Sequence, residues 1–170
     1  MRSAAEGRRL FWAVAAVVLV LDFVTKRVSE QALLPIPAIE VIGDWLQLRL
    51  VYNQGAAFGL HLGPWSRWIF LAVALLAIVL LYRLARSSPP RDWLRQVACG
   101  LVAGGAAGNL VDRIRTAQGV VDFIDVGVGA HRWPTFNVAD MGVSCGAIAL
   151  AVSLWLEDAR RSRTHTAPSA

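Results

Sequence analysis

Four apolar runs are separated by more polar stretches along this chain: Leu10 to about Arg27, Trp65 to Tyr82, about Trp93 to Val111, and Val138 to Leu156. Each approaches the roughly 20 residues that an α-helix needs to cross the hydrocarbon core of a bilayer. The pattern therefore predicts an integral membrane, mainly α protein built as a four-transmembrane-helix bundle. Between the first two runs polarity rises, and Trp45-Leu46-Gln47-Leu48-Arg49-Leu50-Val51 alternates with a period of two. That period marks a half-buried strand, so a small sheet is expected on the outer surface. After Leu156 the chain turns polar, which predicts one membrane domain over residues 1–157 and a disordered cytoplasmic tail over 158–170.

Composition agrees with the pattern. Of the 170 residues 56% are hydrophobic and only 17% charged, against about a quarter charged in ordinary soluble domains. The formal charge of +5 raises nucleic acid as a partner, but the basic residues sit beside the apolar runs and not along one face. Orientation in a membrane accounts for them. With the N-terminus cytoplasmic, Arg2, Arg8, Arg9, Arg83, Arg86, Arg91, Arg95, Arg160, Arg161 and Arg163 are inside. Lys26, Arg27, Arg49, Arg67, Arg113, Arg115 and Arg132 are then outside, a modest positive-inside bias that places both termini in the cytoplasm. Cys99 and Cys145 lie in predicted spans among small apolar neighbours and read as two buried free thiols.

Polar residues inside or beside the spans carry the candidate chemistry, because a charge at the centre of a membrane helix costs roughly 2.5 kcal/mol or more. Asp22 and Lys26 are one helical turn apart at the end of the first span. A snorkelling lysine with its counter-ion would show the same spacing. Asn53 and Gly55 open a small-residue stretch that fits either a ligand contact or a tight turn. The third span carries Gly100, Gly104 and Gly108, a stripe that permits close helix packing in lipid, and then Asn109, Asp112 and Arg113. Asp122 stands between Val120-Val121 and Phe123-Ile124. Asn137 and Asp140 open the fourth span with the spacing of a capping box, which is the structural alternative to a site there. With both termini inside, all these clusters fall at the outer end of the bundle. Independent caps would be scattered over both ends, so one polar site near the outer surface is the more economical reading. An ion-coupled transporter would place acids through the membrane thickness, and the inner halves of the spans lack them. A scaffold whose aspartates are only caps is the remaining class.

Taken in order, Asp22-x-x-Thr25-Lys26, Asn53-x-Gly55-Ala56-Ala57-Phe58, Gly108-Asn109-x-x-Asp112-Arg113, Val120-Val121-Asp122-Phe123 and Phe136-Asn137-x-Ala139-Asp140 resemble the motifs of lipoprotein signal peptidase, the bacterial type II signal peptidase. Asp125 is an additional acid outside the motifs, and its role is open. The resemblance implies a monomeric, multi-pass aspartic endopeptidase of the bacterial inner membrane, with a small extracytoplasmic β-rich cradle. Its substrate would be a diacylglyceryl-modified prolipoprotein, cut just before the lipidated cysteine. By motif position Asp122 and Asp140 would be the catalytic dyad. Asn53, Gly55, Asn109 and Arg113 would line the substrate site, while Asp22, Lys26, Asp112 and Asn137 would support it. His61, His131 and His165 form no metal-ligand cluster, and no metal or cofactor is implied.

Overall fold

A computed structural model of the chain describes residues 4–55, 62–89 and 92–165. Ala56, Ala57, Phe58 and His61 lie outside the described residues, as do residues 166–170. Four α-helices form: α1 (Ala4–Leu33), α2 (Ser66–Ser87), α3 (Trp93–Arg115) and α4 (Val138–His165). Four strands form one antiparallel sheet in sequence order: β1 (Ile39–Ile42), β2 (Leu46–Asn53), β3 (Val120–Val128) and β4 (His131–Arg132).

Helix α3 is the centre, since each of the other three helices packs against it. Its glycines decide how closely. A Cβ built on Gly104 would lie 2.7 Å from the Ala15 carbonyl oxygen of α1, and one on Gly100 2.8 Å from that of Phe11. The two helices meet backbone to backbone, the small-residue contact that drives association where lipid is as apolar as the side chains. On the other side, α4 returns the arrangement: a Cβ on Gly146 would lie 2.8 Å from the Ala98 carbonyl of α3. Phe11, Ala85, Cys99 and Ala103 form the buried apolar cluster between α1, α2 and α3.

Large apolar side chains cover the outside of the bundle, among them Val17, Val20 and Val24 of α1, Leu75, Leu76 and Val79 of α2, and Ile148 and Trp155 of α4. So much exposed apolar surface fits lipid, not water. Among the described residues, two helical stretches are long and apolar enough to cross a membrane by length and composition: Gly63–Ser87 and Val138–Ser162. Helix α1 is interrupted by Asp22, Lys26 and Arg27, and α3 is diluted by its glycines and by Asn109, Asp112 and Arg113. Apart from Arg27, whose side chain is 36% exposed and pairs with Glu30 on the same helix, those residues face protein inside the bundle. Cys99 is buried as expected, but Cys145 is exposed, because it shares the outward stripe of α4 with Met141, Ile148 and Val152.

The fourth helix also continues through His165, where a disordered tail was expected from residue 158. Glu157 explains the extension: it pairs with Arg95 of α3 and with Arg161 one turn further along α4. Arg95 belongs to a second polar cluster, at the end of the bundle away from the sheet. There Asp92 caps α3 by accepting from the Arg95 amide at 3.0 Å, Arg95 Nε lies 3.1 Å from the Asp92 carboxylate, and Ser153 Oγ is 3.4 Å from it. The expectation that every polar cluster lies at one end is corrected by this group. Its members are separated by up to 65 positions in sequence and meet only through packing of α3 on α4.

The sheet covers the opposite end. Strand β2 coincides with the alternating segment, and a register shift between Leu48 and Val51 marks a bulge on it opposite Ile124 and Asp122. Asp125 is fully buried and has a structural role. It accepts from Arg132 Nε at 2.8 Å and pairs with Arg49 at 3.3 Å, which ties β3 to β4 and β2.

Candidate active site

Backbone pairing brings the site together. Phe136 exchanges hydrogen bonds with Ile124, its amide donating at 3.0 Å and its carbonyl accepting at 2.8 Å. The segment entering α4 is thereby docked along β3, and Asn137 arrives beside Asp122. Asn137 Nδ2 lies 2.7 Å from Asp122 Oδ1 and 3.1 Å from the Val121 carbonyl. At the same time Asn137 and Asp140 cap α4 reciprocally: the Asp140 amide donates to Asn137 Oδ1 at 2.9 Å, and the Asn137 amide donates to Asp140 Oδ2 at 3.1 Å. The capping box is real. It also aims Asp140, since the same contacts fix that carboxylate at the mouth of the bundle, where Asn109 Nδ2 donates to its other oxygen at 2.9 Å.

Asn53 closes the opposite side. Its Oδ1 accepts from the Gly55 amide at 2.9 Å, which is a turn, and its Nδ2 donates to Asp122 Oδ2 at 3.1 Å. Asn53 is thus a turn residue, and the turn holds its amide against Asp122. Gly119 permits this approach. Its φ is +111°, and a Cβ there would collide with the Asn53 carbonyl oxygen.

Below these residues lies a buried ion cluster. Lys26 Nζ is 2.7 Å from Asp22, 2.9 Å from Asp112 and 2.8 Å from Asn109 Oδ1. Lys26 is only 2% exposed, so it does not snorkel. Each acid of the cluster reaches onward: Asp22 accepts from the Ala139 amide in the first turn of α4 at 2.8 Å, and Asp112 accepts from the Val121 amide of β3 at 3.2 Å. The cluster thus pins α1 and α3 to the two backbones that bear Asp140 and Asp122. Arg113 reaches sideways, donating to the Asn109 and Gly55 carbonyls at 3.2 and 2.9 Å and lying over the Phe70 ring.

All ten residues singled out in the sequence therefore fall into one connected group. Arg67 was counted only as an outer basic residue. It donates to the Arg113 carbonyl at 2.5 Å and to the Ile114 carbonyl at 3.1 Å, so it caps the C-terminal end of α3 from the start of α2. A lone cation at the head of an otherwise uncharged span was the available signal.

Asp122 is the perturbed group. Burial, and next the negative charge of Asp140, push its carboxyl up to about 7, against the hydrogen bonds from Asn53 and Asn137 and the charge of Lys26. Two cavities flank Asn53 and Gln54. One, of about 410 Å³, is walled by Gly55, Asp122, Pro134 and Thr135. The other, of about 450 Å³, is walled by Ser66, Arg67, Trp68, Arg113 and Gly119.

The family described as signal peptidase (SPase) II matches residues 14–156, which include every residue of this group. The chain belongs to the lipoprotein signal peptidase family. A lipoprotein signal peptidase of Hydrogenovibrio crunogenus is 40% identical over 156 residues, covering 90% of both chains. One of Rhodococcus jostii is 42% identical over 152 residues, covering 86% of this chain and 73% of that protein. Two solved structures share the fold, each a bacterial membrane enzyme determined by the in meso method. One superimposes with a TM-score of 0.74 at 26% identity, covering 93% of this chain and 92% of its own. The other gives 0.72 at 30% identity, covering 84% and 90%. The chain is thus a peptidase of the membrane, and the polar group at the sheet end of its bundle is the candidate site of its family's chemistry.

Proposed function

We propose that this peptidase is an aspartic endopeptidase that removes the signal peptide from diacylglyceryl-modified prolipoproteins, cutting just before the lipidated cysteine. The observation that carries the mechanism is the joint hold on Asp122 and Asp140. Asn137 contacts both, and the charge of one raises the pKa of the other. Two neighbouring carboxylates do not readily ionise together, so the dyad shares one proton, with Asp122 as the protonated partner.

In the reaction the Asp140 carboxylate takes a proton from water as its oxygen adds to the scissile carbonyl carbon. Asp122 donates its proton to the carbonyl oxygen. The tetrahedral intermediate then collapses: the C–N bond breaks, the leaving nitrogen takes the proton held by Asp140, and Asp122 recovers its own from the hydroxyl. Asn53, Asn109 and Asn137 orient the carboxylates, and Arg113 with the Gly55 carbonyl offers a donor and an acceptor to the peptide backbone. Lys26, Asp22 and Asp112 hold these elements in register. The enzyme acts as a monomer with four spans and both termini in the cytoplasm of the bacterial cell, its site at the outer face of the inner membrane.

The test is cleavage of a lipid-bearing precursor by purified enzyme. Asp122→Asn and Asp140→Asn are each expected to lower turnover by about 10² to 10⁴ or more while the protein stays folded. Near-normal turnover by either variant rejects the dyad. Equal cleavage of matched precursors with and without the diacylglyceryl group rejects lipid-dependent recognition.

A further inference from the structure

The larger cavity has a composition that a peptide alone does not explain. It opens between the start of α2 and the end of α3, with Arg67, Arg113 and Ser66 supplying polar groups and Trp68 an indole. Of the five N–H donors of Arg67, the one on Nε and one of the two on Nη2 go to α3 carbonyls, and among the described residues no acceptor takes Nη1. From Trp68 the exposed face of α2 continues through Leu75 and Val79, seven and eleven residues on and so on one helical face. Donors at one end of an exposed apolar stripe match a molecule with ester carbonyls at one end and acyl chains at the other. The cavity is also close enough to the chemistry. Asn53 lines it and donates to Asp122, so its occupant sits one residue from the dyad.

We propose that this cavity seats the glyceryl ester group of the substrate, with Arg67 donating from Nη1 to an ester carbonyl and the acyl chains lying along the Trp68, Leu75 and Val79 face of α2. This rests on the reading of the chain as a peptidase for diacylglyceryl-modified precursors, in which the lipidated cysteine adjoins the scissile bond. Arg67 is then a specificity residue for the lipid. Its bonds to α3 hold the guanidinium at the mouth of the cavity, and the Trp68 ring beside it, 5.3 Å from the guanidinium carbon to the centroid, supplies the apolar floor.

The experiment uses two precursors that differ only in the lipid: one with the diacylglyceryl ester, one with the dialkylglyceryl ether, which has chains of equal length but no carbonyl. The full-length enzyme in lipid is expected to favour the ester by about tenfold in kcat/KM, the worth of one hydrogen bond from a charged donor. Arg67→Gln is expected to bring that ratio to near one, mainly by raising KM for the ester, while Arg67→Lys retains part of it. The ratio is measured on one preparation, so it is independent of the fraction of variant that folds. An Arg67→Gln enzyme that loses the same factor on both precursors overturns the proposal and leaves Arg67 as a cap of α3. A wild-type enzyme that cuts both equally overturns it too, with the peptidase reading intact. Failure to cut either precursor would instead strike that reading, and the proposal with it.

Discussion

Burial, and next the charge of Asp140, raise the pKa of Asp122, and the amides of Asn53 and Asn137 oppose that rise. The sign of a pH dependence follows. A dyad that needs one shared proton is competent below the raised value and loses that proton as pH rises through about 7. We expect kcat/KM to fall on the alkaline side with a limb near pH 7. Asn53→Ala removes a hydrogen bond that favours the ionised form, so it should move the limb to higher pH while lowering overall activity. A limb that moves to lower pH would show that the amide acts on the protonated form. Lys26 makes a second case at this scale. Replacing it by Met would leave Asp22 and Asp112 buried without their cation, and breaking a buried pair in this way costs about 3 to 5 kcal/mol. Thermal unfolding in detergent should show Lys26→Met strongly destabilised, with the double variant Asp112→Asn, Lys26→Met partly restored.

At the scale of elements, the glycine stripe of α3 and the strand pairing do separate jobs. The stripe sets how close α1 lies, and therefore whether Lys26 reaches Asn109. Gly104→Val would drive side-chain atoms into the Ala15 backbone, which cannot give way as a flexible side chain could. Overpacking of this kind costs about 1 to 3 kcal/mol, so we expect a lowered melting temperature together with lost activity, whereas Ala106→Val in the same helix should change little. An unaffected Gly104→Val protein would show that the helices can separate without loss. The stripe was legible in the sequence, as were the four helices and strand β2, because each rests on a local pattern: glycine spacing, the length of an apolar run, or alternation. The cluster of Asp92, Arg95, Ser153 and Glu157 was not legible. Its members carry no local pattern, and only the packing of α3 on α4 brings them together. The same reason hid Arg67, whose partners are backbone carbonyls without a sequence signature. Asp140 could be read as a cap or as a site residue, and the reciprocal bonds with Asn137 explain why local spacing did not choose between them.

For the whole molecule, the two ends of the bundle differ in kind, and that difference predicts orientation. The sheet end holds the proposed dyad, the ion cluster and both cavities. The other end holds α4's extension, where Arg160 and Arg161 follow Glu157 and Asp158. Positive charge is retained on the cytoplasmic side, and a substrate already carried across the membrane presents its cleavage site outside. The sheet end should therefore face outward. Single cysteines read this directly. In a Cys145→Ser background, where Cys99 stays buried, Gln118→Cys lies on the exposed turn before β3 and Ser162→Cys on the exposed end of α4. A membrane-impermeant maleimide added to spheroplasts should label Gln118→Cys at once and Ser162→Cys only after the membrane is opened. The reverse pattern would invert the protein and put the dyad in the cytoplasm. Labelling of both positions in intact spheroplasts would mean an even number of spans between them, which is incompatible with a fourth helix that crosses the bilayer once.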